Sequence, residues 1–130
     1  MDKQRILVVE DDQFLRELYQ ELLSDEGYNV EVSANGEDGL TNMRNGGYDL
    51  VLLDIMLPKK DGLDILTELR ANPPTKQNGP VVLLTNLGQD AIIKQGFSLG
   101  ASGYLIKSAM TPDQVLHEVK VFLKKSSEGK

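Results

Sequence analysis

Seven side chains able to handle charge or a phosphoryl group follow directly on apolar runs in this chain of 130 residues. Glu10, Asp11 and Asp12 follow ILVV, Asp54 follows DLVLL, Thr85 and Asn86 follow PVVLL, and Lys107 follows SGYLI. Carboxylates gathered in one crevice either take raised pKa values or require a cation. Oxygen donors with no Cys or His beside them suit a hard ion, and Mg²⁺ characteristically takes one or two carboxylates, several waters and often a phosphate oxygen. Lys107 would add a fixed positive charge and Thr85 a hydroxyl donor, a set able to neutralise a phosphoryl group in transfer. Singly, each has a plainer role: Asp11 or Asp12 as a helix cap, Thr85 as a cap or turn residue, Lys107 as a solvated lysine. Asp54 resists such a reading, because VLL precedes it and IML follows it. Only a fold that brings these residues together gives them a joint chemistry.

Five short runs rich in Val, Ile and Leu, at 5–9, 28–32, 49–53, 80–84 and 102–106, read as strands. After each comes a segment with helical spacing: Leu15, Leu18 and Leu22; Leu40 and Met43; Leu66 and Leu69; Ile92, Ile93 and Phe97; Val115, Val119 and Phe122. Five strand-then-helix units imply right-handed crossovers between parallel strands, with helices on both faces of a doubly wound α/β sheet. Near-continuous apolar strands fit a sheet buried on both faces, and YNVEV, with polar residues interleaved, fits an edge. Thr111, Pro112 and Gln114 form a capping box with proline at the first helical position, and Gly100 stands where a glycine would stop the fourth helix. ANPPTKQNG, 71–79, is expected to be a surface loop and KKSSEGK a frayed tail. In such a sheet a ligand sits beyond the carboxyl ends of the strands where the strand order reverses. An order of 2-1-3-4-5 sets strands one and three side by side, and with them Glu10, Asp11 and Asp54.

The length fits one domain with a real core, the folded part expected over about 4–124 with a flexible tail at 125–130. A net charge of −6 argues against binding to nucleic-acid backbones or anionic lipid, both of which would be repelled. No cysteine is present, which removes disulfides, thiolate metal sites and a cysteine nucleophile, and accords with a cytoplasmic setting. MDKQR leads into only four apolar residues before the acids, too few for a signal peptide's apolar region, and no run approaches a membrane span. His117 has no second histidine near it, and Lys59 and Lys60 read as a solvated turn.

ILVVEDD, LLDIMLPKKDG, VVLLTN and GASGYLIK, in this order and spacing, resemble the signature of response-regulator receiver domains, of the single-domain chemotaxis type in length. The resemblance covers essentially the whole chain. It implies a flavodoxin-like five-stranded fold in the order 2-1-3-4-5 with five helices. Asp54 would accept a phosphoryl group from a sensor histidine kinase or phosphotransfer protein. Glu10, Asp11, Asp54 and the backbone carbonyl of Met56 would hold Mg²⁺, and Lys107 would pair with the phosphoryl oxygens. Thr85 would turn towards the phosphoryl group and Tyr104 would move with it, changing the surface of helix four, strand five and helix five for a downstream protein. Such a protein catalyses only its own phosphorylation and dephosphorylation, and works as a monomer or a phosphorylation-linked dimer. The alternative is a degenerate receiver acting as an interaction module without phosphorylation.

Three residues depart from the family pattern. Ser108 stands where a proline usually forms a cis peptide after the lysine, a bond that costs about 2.5–4 kcal/mol without proline. Asn86 replaces a small residue after the threonine, and Lys60 an apolar one. Met56 and Leu87, two residues past Asp54 and Thr85, are apolar and cannot orient an attacking water, so a long-lived aspartyl phosphate is expected. A flavodoxin would need a hydroxyl- and glycine-rich phosphate loop after the first strand, and an aspartate-nucleophile phosphatase a second acid at position 56. Neither is present.

Overall fold

A computed structural model describes residues 3–86 and 88–128. Strands β1 (Arg5–Val9), β2 (Asn29–Ser33), β3 (Leu50–Asp54), β4 (Val81–Thr85) and β5 (Gly103–Ile106) form one parallel sheet in the order β2-β1-β3-β4-β5. The helices are α1 (Gln13–Asp25), α2 (Gly36–Asn45), α3 (Gly62–Ala71), α4 (Asp90–Ser98) and α5 (Pro112–Glu128), with a short 3₁₀ turn over Lys107–Ala109. The expected order and class hold, and β2 lies at an edge as its polar alternation required.

Period-two alternation divides the apolar strand residues between two core layers. Ile6, Val8, Leu50, Leu52, Val82, Leu84 and Leu105 pack with Tyr19, Leu23, Val115, Val119 and Leu123 of α1 and α5. Leu7, Val9, Val51, Leu53 and Leu83 pack with Leu40, Met43, Ile65 and Leu66 of α2 and α3. The inward stripe of α1 is Leu15, Tyr19 and Leu23, one residue displaced from the spacing expected through Leu18 and Leu22, which are half-buried. Phe97 likewise stays 43% exposed, and Ile93 and Gly96 are the residues α4 buries. Adjacent apolar residues, such as Leu18 with Tyr19, Leu22 with Leu23 and Ile92 with Ile93, allow two stripes, and the sheet selects one.

Local signals resolve as follows. The Asp12 carboxylate accepts from the Leu15 N–H at 2.9 Å and caps α1. Thr111 and Gln114 exchange hydrogen bonds at 2.9 and 3.2 Å as a capping box. Gly100 takes φ +107, a left-handed conformation that closes α4. The α5 helix runs through Glu128, past the limit expected at 124, because Lys124–Ser126 continue its hydrogen-bonded turns; the last two residues of the expected tail lie outside the described residues. No helix among the described residues is long and apolar enough to cross a membrane.

Strands β2, β3 and β4 each end one residue later than the apolar runs indicated. Asp54 and Thr85 are therefore the last residues of their strands: Asp54 pairs with Leu84 and Thr85 with Ile106. A polar side chain ends an apolar run without ending the backbone ladder, and the Ile55 N–H still donates to the Leu84 carbonyl at 3.2 Å.

Candidate functional site

The carboxyl ends of β1, β3, β4 and β5 surround a cavity of about 560 Å³ lined by Glu10, Asp11, Asp12, Leu15, Asp54, Met56, Asn86, Lys107 and Ser108. Strand alternation explains who points into it. Glu10 continues the face of Ile6 and Val8, Asp54 that of Leu50 and Leu52, and Lys107 that of Leu105. Thr85 continues the opposite face, that of Leu83. Tyr104, which pairs with Leu83, lies on the same side as Thr85, one step back along the neighbouring strand.

Glu10 is completely buried and Asp54 nearly so, whereas Asp11 is exposed. The Lys107 ammonium donates to Asp54 Oδ2 at 2.8 Å and to Glu10 Oε1 at 3.1 Å. One oxygen each from Glu10, Asp11 and Asp54 can be chosen so that all three lie within 4.8 Å of one another. The remaining carboxylate oxygens meet backbone donors: the Asp12 N–H reaches Glu10 Oε2 and the Met56 N–H reaches Asp54 Oδ1, both at 3.1 Å. Burial, then the hydrogen bond and charge of Asp54, push the Glu10 carboxyl up to about 7 against the pull of Lys107. Burial by itself would lower the Lys107 ammonium, but hydrogen bonds and charge from Asp54 and Glu10 outweigh it and raise the group above its ordinary value. One lysine shared by two buried carboxylates leaves the cluster short of positive charge, the condition that favours a bound cation.

Two loops hold these groups in place. Arg16 of α1 donates to the Glu10 and Asp11 carbonyls at 3.0 and 3.2 Å, fixing the β1–α1 turn. The β3–α3 loop is closed by the Gly62 N–H on the Ile55 carbonyl at 2.9 Å and anchored to α2 by the Gly36 N–H on the Pro58 carbonyl at 3.3 Å. A Cβ at Gly36 would stand 1.5 Å from the Lys60 carbonyl oxygen, so only glycine lets α2 approach this loop. Lys60 is not the solvated lysine the sequence suggested: it pairs with Glu68 of α3 across the loop, which the reach of a lysine stem permits and sequence spacing does not reveal.

Thr85 is 1% exposed, and its hydroxyl has no hydrogen-bond partner among the described residues. Tyr104 is 44% exposed and meets the Phe97 ring of α4 edge-on at 6.3 Å between centroids. Asn86 and Ser108 reach the cavity rim, and Lys107 opens a 3₁₀ turn from which its ammonium still reaches both acids. Of the two residues expected to flank an attacking water, Met56 lines the cavity and is 56% exposed; Leu87 lies outside the described residues. Sequence reasoning missed Arg16 and Gln89, whose side chain accepts from the Asn86 N–H at 2.7 Å; neither bears a motif signal, since both act on backbone atoms.

The response regulator receiver domain model matches residues 6–120. The transcriptional regulatory protein DltR of Streptococcus agalactiae is 40% identical over 123 residues, 95% of this chain and 53% of that protein. The transcriptional regulatory protein ResD of Bacillus subtilis is 33% identical over 95% of this chain and 50% of its own length. The chain thus spans about half the length of these regulators. A CheY-like response regulator receiver domain protein from Methanospirillum hungatei, known from a crystal structure, superposes with a TM-score of 0.87 at 26% identity, covering 99% of this chain and 100% of the other.

Proposed function

The chain belongs to the response-regulator receiver family, and from that premise we propose that Asp54 accepts a phosphoryl group from a sensor histidine kinase or phosphotransfer protein in a Mg²⁺-dependent reaction. The observation that carries this reading is Asp54 itself: a carboxylate buried to 2% exposure, facing an open cavity, with Lys107 at 2.8 Å and two further acids beside it. A carboxylate oxygen of Asp54 attacks phosphorus, the O–P bond forms as the donor's N–P bond breaks, and the electron pair of that bond returns to the donor imidazole nitrogen.

The all-oxygen donor set fits Mg²⁺, with Glu10, Asp11, Asp54 and the Met56 carbonyl as the residues that would hold it. When bound, the ion supplies neutralisation of charge on the phosphoryl oxygens. Lys107 does the same from the β5 side and stays protonated across the physiological range. The Met56 N–H orients the Asp54 carboxylate through Oδ1.

Phosphorylation would bring oxygen acceptors into the cavity that Asn86 lines, next in the chain to Thr85, whose hydroxyl has no partner among the described residues. Its movement to the phosphoryl group vacates space on the sheet face it shares with Tyr104, and the α4–β5–α5 surface changes for a protein target. Beyond its own phosphorylation and dephosphorylation the protein turns over no substrate. Incubation with Mg²⁺ and acetyl phosphate, followed by intact mass measurement, is expected to add one phosphoryl group to the wild type and none to Asp54→Ala. No addition to the wild type would favour an interaction module that works without phosphotransfer, and equal addition to both would place the acceptor elsewhere.

A further inference from the structure

Gln89 reaches back to the residue that follows β4. Its side-chain carbonyl accepts from the Asn86 N–H at 2.7 Å, and as the residue preceding α4 it makes no capping bond of its own to the helix. Backbone groups alternate sides along a strand, and the Leu84 carbonyl is directed at β3, where it receives the Ile55 N–H. If that alternation is carried two residues on, just past the end of β4, the Asn86 N–H would be turned towards the same neighbour beyond Asp54, and Asn86 lines the same cavity as Asp54 and Lys107. An N–H so placed is a backbone donor for an anion bound at Asp54.

We propose that Gln89 is a latch: its side-chain amide occupies the Asn86 N–H in the unphosphorylated chain and must be displaced when a phosphoryl oxygen on Asp54 claims that donor. Release frees the residue at the start of α4, so the pocket acts on this helix by a route separate from Thr85 and Tyr104. The inference rests on Asp54 being the phosphoacceptor. Because the latch bond is lost on activation, its strength sets how hard the active state is to reach, and a net hydrogen bond corresponds to about two- to tenfold in an equilibrium constant.

Fluoroberyllate with Mg²⁺, a phosphoryl mimic that binds a carboxylate, is the probe, titrated by ¹⁹F NMR into wild type, Gln89→Ala and Gln89→Glu. Gln89→Ala is expected to bind about two- to tenfold more tightly than wild type. Gln89→Glu keeps an acceptor on the Asn86 N–H, strengthens it with charge and repels the anion, so it is expected to bind more weakly than wild type. A residue that merely shaped the loop would move both variants in the same direction. Unchanged or weaker binding by Gln89→Ala, with wild type binding normally, overturns the latch alone. Failure of the wild type to bind overturns the phosphoacceptor reading, and the latch with it.

Discussion

Replacing Thr85 by valine should make the unphosphorylated protein more stable while disabling its switch. The side chain is 1% exposed and its hydroxyl lacks a partner among the described residues, so the fold bears the desolvation of that group without a hydrogen bond in return. A buried unpaired hydroxyl costs about 1–3 kcal/mol, and valine keeps the shape while deleting it. For a domain of this size that gain corresponds to roughly 3–12 °C in Tm. On the proposed mechanism the same hydroxyl would gain a charge-assisted bond when a phosphoryl oxygen arrives. Loss of that bond together with loss of the orphan's relief removes about 2–4 kcal/mol of bias towards the active conformer, roughly 30- to 1000-fold in the conformer ratio. Urea unfolding followed by circular dichroism measures the first effect, and Tyr104 chemical shifts with and without fluoroberyllate measure the second. Thr85→Ser, which keeps the hydroxyl and drops a methyl, controls for packing and is expected to cost about 1 kcal/mol. A Thr85→Val protein less stable than wild type by about 1 kcal/mol or more would show that the hydroxyl is well bonded before phosphorylation, and would refute the reasoning.

Three further outcomes follow from the site. If Glu10 holds Mg²⁺ as proposed, the ion needs it ionised, and that carboxyl is raised to about 7, so affinity should fall about tenfold per pH unit below 7 and level off above 8, while Glu10→Gln flattens the profile; calorimetric titration from pH 6 to 8 checks it. Without metal the sign reverses for folding: between the ordinary carboxylate range and 7 the unfolded chain ionises Glu10 before the folded one does, so this group lowers stability as pH rises through that window. Gly36→Ala, whose Cβ would meet the Lys60 carbonyl at 1.5 Å, must push α2 off the β3–α3 loop; a loss on the order of 3 kcal/mol in urea unfolding is expected, and a neutral substitution would contradict the packing. Met56, apolar at the cavity rim, offers no hydrogen bond to an attacking water, so the aspartyl phosphate should persist for minutes or longer in purified protein with Mg²⁺, and decay within seconds would contradict this.

The five strands, the edge position of β2 and the polar residues at the strand ends were legible in the sequence, because each rests on a short-range signal: an apolar run, its alternation, and the polar residue that ends it; the strand order, and with it the convergence of Glu10, Asp11, Asp54 and Lys107, came from the family resemblance instead. The sequence left the cap of α1 between Asp11 and Asp12, and the Leu15 N–H bond to the Asp12 carboxylate decides it. What escaped depends on distance in space rather than along the chain. The backbone pairing of Asp54 and Thr85 is decided by the neighbouring strand, not by their own polarity. Lys60 reaching Glu68, Arg16 reaching two carbonyls and Gln89 reaching the Asn86 N–H are contacts of long side chains with groups whose position only the folded loops define. That the Thr85 hydroxyl has no partner among the described residues is a property of everything around it, and no pattern of residue types encodes it.

The central claim is that one carboxylate, Asp54, carries the phosphoryl group. Borohydride reduces an aspartyl phosphate to homoserine and leaves free carboxylates untouched, so reduction of the acetyl-phosphate-treated protein followed by peptide sequencing identifies the residue directly. Homoserine at position 54 and at no other acid is the expected result. Homoserine at position 11, the hydroxynorvaline that a reduced glutamyl phosphate would leave at position 10, or no reduced residue anywhere, would contradict the account.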